Sequence, residues 1–269
     1  MKMKLRSIRT IIAGMVSIKM CIFITLIIGA QFAYEINYIN TFKCDFGNAD
    51  VLSRIIMPIN QNGIAPNKLM QYLLPLLYTM MLCGSYYQNE LNCRCRYTIP
   101  RFHNIYKWYN ANIISLIFIS AFFSVLYYII NLFVCRILNI PDGLLIETNM
   151  NAVNMAYNVS PLIITLHFLY GFGARILLTL MMQLILILKF QNTQTSIAIP
   201  LALHLVSIMF SSIWIYIPFG STQLIRVINN NEKMSRAYLF MCLTFFVLYI
   251  TGIMITKNRK FLARNAILR

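Results

Sequence analysis

Apolar residues fall in six blocks along this chain, with polar stretches between them. The blocks are Met20–Asn37, Leu69–Tyr86, Ile113–Cys135, Pro161–Leu188, Ile197–Phe219 and Ala237–Ile255. Crossing ~30 Å of hydrocarbon takes roughly 20 apolar residues of helix, within a range of about 17 to 25. The pattern predicts an all-α, polytopic membrane protein with six transmembrane helices over residues 20–255. The fourth block is long and contains YGFGAR, so a break or bend is expected at Gly171 and Gly173. Residues 1–19 have another period. On a 100° wheel Leu5, Ile8, Ile12 and Met15 share one face, and Lys2, Arg6, Arg9 and Ser17 the other. That predicts an amphipathic helix lying in the membrane interface; the plainer alternative is a basic tail that only enforces topology. Residues 256–269 form a second basic tail. No internal repeat or low-complexity tract divides the chain, so residues 1–269 read as one transmembrane domain.

Composition agrees with the pattern. Of 269 residues, 59% are hydrophobic and only 11% charged, where a soluble domain carries about a quarter charged residues. The net charge of +16 would point to nucleic acid in a soluble protein. Here its distribution points to orientation in a lipid membrane, because Lys and Arg concentrate in cytoplasmic segments. With the N-terminus inside, the cytoplasmic pieces hold 15 basic residues against one acid, Glu90, and the outer pieces hold seven against six. The expected protein is therefore multi-pass in the plasma membrane with both termini cytoplasmic, and no nucleic acid is expected as a partner.

The longest polar stretch, YYQNELNCRCRYTIPRFHNIYKWYNAN (86–112), joins the second and third blocks. Pro100 fits the first turn of a helix, where its missing N–H costs nothing. Ile99, Phe102, Ile105, Tyr106 and Tyr109 then share one helical face, with Arg101, Asn104 and Trp108 on another. The stretch predicts a short amphipathic helix at the cytoplasmic surface, ending where the third span begins. It reads equally as an interfacial anchor, because Tyr, Trp, Lys and Arg enrich at membrane interfaces.

The run Glu90, then RYTIPR at 96–101, then Lys107 resembles the loop between spans 2 and 3 in type-2 ABC export permeases. LILILKFQNTQTSIAIPLAL (184–203) is similar to that family's junction between spans 4 and 5. The resemblance covers nearly the whole chain and rests on the order of these motifs. LNCRCR follows the acid where the family often has a Gly-Thr pair. The resemblance implies that the 86–112 stretch is a coupling helix engaged by a cytoplasmic ABC ATPase through Glu90, Arg96, Tyr97, Pro100, Arg101, Phe102, Ile105 and Lys107. Glu90 would hold Arg94 or Arg101 and keep the helix end in register. It also implies a second permease copy, identical or different, and no cofactor in this chain, with ATP and Mg on the partner.

No G-x-x-x-x-G-K-[ST], H-E-x-x-H or G-x-S-x-G occurs in the sequence, so an ATPase, zincin or serine-hydrolase site has no motif here. Cys93 and Cys95 supply two soft ligands with no second pair nearby, and zinc sites take four. Cys44 and Cys135 would lie on the outer side, where they could pair. Ionisable groups inside spans are functional candidates by default. Measured at 1.5 Å per residue, Arg175 lies ~20 Å and His167 ~31 Å above the cytoplasmic edge of the fourth span, and His204 ~10 Å into the fifth. The two histidines are too far apart to share a metal, and no metal site is expected. Arg175 either snorkels to the outer headgroups or lines a polar vestibule facing an anionic substrate, with His167 and Gln183 further along the same helix. His204 reads as a core histidine bonded to a neighbouring carbonyl. Two other classes stay open: a membrane-embedded enzyme, protease or lipid-modifying, and a non-catalytic sensor or immunity protein.

Overall fold

The computed structural model describes residues 2–15, 66–91, 105–137, 161–209 and 231–258, with isolated positions and three dipeptides between them. Six helices fall in these stretches: α1 Lys2–Met15, α2 Pro66–Asn89, α3 Ile105–Ile137, α4 Pro161–Phe190, α5 Thr193–Met209 and α6 Asn231–Asn258. Among the described residues the fold is all-helical apart from a two-residue antiparallel ladder, β1 Leu145–Ile146 with β2 Met155–Ala156, between α3 and α4. Of the first expected span only Ile22, Thr25, Leu26 and Gly29 are described, each helical.

Among the described residues, three helices are long and apolar enough to cross a membrane, over Ile105–Ile130, Leu169–Phe190 and Ser235–Lys257. They differ in how much of that length the chain itself covers: 39%, 78% and 17% respectively. α4 is therefore the central post. It packs against α2, α3, α5 and α6. α6 lies at the periphery, and its outward residues Leu239, Leu243, Phe246, Val247, Ile250 and Met254 are all apolar.

α4 runs unbroken through YGFGAR, which corrects the expected break. Gly173 serves close packing instead. A Cβ at Gly173 would stand 3.1 Å from Ser124 Oγ on α3, and beside it Phe172 stacks on Tyr127 at 4.7 Å between centroids. Small residues that let helix backbones approach replace the hydrophobic drive that lipid cannot supply.

α1 is helical, and its apolar stripe faces the bundle. Ile11 and Met15 are buried in the common core and Ile8 packs against it, whereas Ile12 is only half-buried. The buried stripe thus meets α3 and α2 of its own chain. Contact with α2 is close: a Cβ on Gly14 would come within 2.7 Å of the Tyr86 ring. Arg9 stays exposed.

Candidate functional site

The expected coupling segment is organised differently from its sequence pattern. Asn104 caps α3: its Oδ1 accepts from the Tyr106 N–H at 2.8 Å and its carbonyl from Trp108 N–H at 3.2 Å. An Asn side chain meeting the unpaired first-turn donors fixes a helix start. α3 therefore begins at Ile105, not at Ile113, and residues 105–109 are the first turns of one 33-residue helix. Tyr109 and Trp108 are both buried in the core, so the aromatic face expected to be free is turned inward at Tyr109. Phe102 sits half-buried in a turn, Ile105 is half-buried and Lys107 is exposed. Arg96, Tyr97, Pro100 and Arg101 lie outside the described residues, as do Arg94, Cys93, Cys95 and Cys44.

Glu90 occupies a π-type turn with Leu91 at the end of α2 and is only 3% exposed. π-type turns recur at functional positions. The partners expected for its carboxylate, Arg94 and Arg101, belong to the undescribed segment. Near the same end of the bundle, α4 turns into α5 within two residues. Gln191 takes a positive φ of 56° and its N–H donates to Ile187 O at 2.9 Å, while Asn192 Oδ1 accepts from Gln194 N–H at 2.8 Å. The left-handed residue ends one helix and the Asn caps the next. Phe190, Gln191, Asn192 and Gln194 are exposed on this turn.

The second locus is a polar seam inside the bundle. Arg175, Thr179 and Gln183 recur every four residues on α4 and so share one face; all three are buried, at 6%, 0% and 0% exposure. The Arg175 guanidinium lies 4.9 Å from the centre of the Phe172 ring. Arg175 thus does not snorkel to an open surface; an aromatic face one turn back along α4 covers it, which a desolvated guanidinium favours. Thr179 Oγ1 donates to Arg175 O at 2.6 Å. A hydroxyl has one proton to give, so its 2.8 Å contact with His204 Nε2 is a bond that it accepts. The imidazole therefore carries a proton on Nε2.

His204 is the core histidine expected, and a hydroxyl on the facing helix is one of its partners. It also lies deeper than expected. α5 begins at Thr193, which places His204 about 16 Å from the turn, level with Thr179 on the returning helix. One turn further, Gln183 Nε2 donates to Met80 O on α2 at 2.7 Å. Gly84 makes room for this, since a Cβ there would stand 2.7 Å from that nitrogen. Gln183 Oε1 has no partner among the described residues. His167 lies on α4 outside this seam's run of residues, and its side chain is not described.

The seam differs from the other buried hydroxyls. Ser115, Ser124 and Thr79 bond to carbonyls of their own helices, the usual recourse of Ser and Thr in apolar helices. Thr179–His204 and Gln183–Met80 instead tie α4 to α5 and α2. Sequence reading missed Thr179, Met80 and Gly84; the four-residue recurrence of Arg175, Thr179 and Gln183 was the signal available. Among the described residues no group of three His, Cys, Asp or Glu is placed to hold a metal, and Cys83 and Cys242 are free thiols.

The fold defines a class: a helical bundle in which, among the described residues, three helices are fit to cross a bilayer, as in a membrane protein. No family model matches the chain, and neither a curated protein nor a solved structure is similar to it.

Proposed function

We propose that the chain is the membrane-spanning permease subunit of an ATP-driven exporter of the type-2 ABC class. In this reading six helices cross the plasma membrane and both termini are cytoplasmic. A separate ATPase carries ATP and Mg, and two permease copies enclose the pathway. Closure of the ATPases pushes the inner ends of the helices, and rigid-body motion of the spans gives alternating access. The chain performs no covalent chemistry.

The observation that carries the reading is Glu90. An acid 3% exposed at the last turn of α2 is costly unless something pairs with it, and in this chain it is the one acid expected on the cytoplasmic side. It lies one connection before α3; Phe102, in the turn that precedes the cap, and Ile105 are half-buried, and Lys107 in the first turn is exposed. A tight α4–α5 turn follows in the order that the family resemblance requires.

Purification in mild detergent tests this. A stoichiometric ATP-hydrolysing partner should come with the chain, and Glu90→Ala should release it or uncouple it while membrane insertion is kept. A chain that is purified intact and functions alone would refute the permease reading and return the enzyme and sensor classes to the front.

A further inference from the structure

α6 is the least covered of the three membrane-length helices among the described residues, and it packs on two neighbours, α4 and α3. Several of its contacts gather at the start of α3. Tyr249 Oη donates to Asn110 Oδ1 at 2.9 Å. The rings of Tyr249 and Tyr109 lie 6.1 Å apart, and the Tyr109 hydroxyl sits on the backbone of α6 at Gly252, where any Cβ would collide with it. Phe245, one turn before Tyr249, stacks parallel to it at 6.4 Å and braces the ring from its own helix. The glycine notch, the ring pair and the hydrogen bond therefore fasten one turn of α3 to one turn of α6.

That turn of α3 has a particular place. Asn104 caps the helix and no break interrupts it up to Ile137, so a displacement of residues 105–107 carries Tyr109 and Asn110 along. Tyr109 is fully buried and unavailable to an outside partner; its contact is with α6 instead. We infer that Asn110–Tyr249 and Tyr109–Gly252 form a clamp that hands motion of the inner end of α3 to α6. Asn110, Tyr249 and Gly252 are then positioning residues for coupling. The inference rests on the exporter reading and adds to it which helix follows the stroke.

Spin-label distances in the purified chain–ATPase complex test the clamp, with the seven native cysteines replaced. Labels go on exposed positions: Ile114→Cys on α3, Met254→Cys on α6 and Gln194→Cys at the start of α5. Trapping with ATP and vanadate should shift the 254–194 distance while the 114–254 distance holds. Tyr249→Phe keeps the ring but removes one hydrogen bond. It should lower the ratio of coupled to uncoupled populations roughly threefold, with ATP hydrolysis retained. Gly252→Leu should do the same by displacing Tyr109, and Phe246→Leu on the outward face should change nothing. A 114–254 distance that changes on trapping, no shift in either pair, or a full 254–194 shift in Tyr249→Phe would overturn the clamp. A preparation with no ATPase sinks the exporter reading itself and is distinguishable from all of these.

Discussion

Replacing Thr179 by valine keeps the shape of the side chain and removes the oxygen that joins α4 to α5. In the native bundle that oxygen accepts the His204 Nε2–H at 2.8 Å, and both residues are fully buried. Valine takes away the acceptor and offers nothing in its place. The bond to Arg175 O is lost too, but that carbonyl keeps its place in the helix ladder, so the loss centres on the imidazole. Stranding a buried donor costs about 1–3 kcal/mol in soluble proteins. Between helices in a bilayer the measured range is lower, on average about 0.6 and at most about 1.7 kcal/mol. Full burial of both partners argues for the upper part of that range, about 1 kcal/mol or a little more. A chain of this size would then lose about 2–4 °C of thermal stability. The assay is the fraction of detergent-solubilised protein that stays monodisperse after heating. Thr179→Ser should retain native behaviour, because the hydroxyl survives. A double-mutant cycle between Thr179→Val and His204→Leu should return a coupling of about 1 kcal/mol. If Thr179→Val is as stable as the parent, or the cycle gives zero, the hydroxyl does not hold the histidine and the proton assignment on Nε2 falls with it.

Two further outcomes follow from the same contacts. Gly84→Ala puts a Cβ 2.7 Å from Gln183 Nε2 and should destabilise by breaking the bond to Met80 O. In a Gln183→Ala background the same change should be neutral or stabilising by up to about 1 kcal/mol, the helix-propensity gain of Ala over Gly, and heating assays on the four proteins decide it. Asn104→Ala removes the cap of α3 and should cost about 1 kcal/mol, whereas Asn104→Asp should preserve stability; equal losses in both would deny that Asn104 acts as the cap.

Helix content was legible in the apolar blocks because a helix in a bilayer has to bring its own hydrogen bonds and about 20 apolar residues. The second, fourth and sixth blocks agree with α2, α4 and α6 to within a few residues at most boundaries. The start of α3 was misread at Ile113, since Ile105–Asn112 mixes polar and aromatic residues. The sequence pattern reads a separate short helix there, whereas the Asn cap and burial of Trp108 and Tyr109 make those turns the start of one continuous helix. The Gly171–Phe172–Gly173 run was misread for a related reason. A glycine lowers helix propensity locally, but the approach of Ser124 and Tyr127 from α3 rewards a missing side chain.

The seam shows the same division. That Arg175 and His204 lie within apolar blocks is written in the order of residues. Which groups satisfy them is not, because a partner such as Met80 O stands 103 positions from Gln183. Likewise the sequence alone determined that α1 is amphipathic, through a 3.6-residue period any surface could have used. Tertiary packing chose Ile11 over Ile12 and directed the stripe to α3 and α2. Periodicity and composition act along the chain, so one strand of sequence reports them. Burial, notches and cross-helix hydrogen bonds depend on which helix stands opposite, and only the assembled bundle decides that.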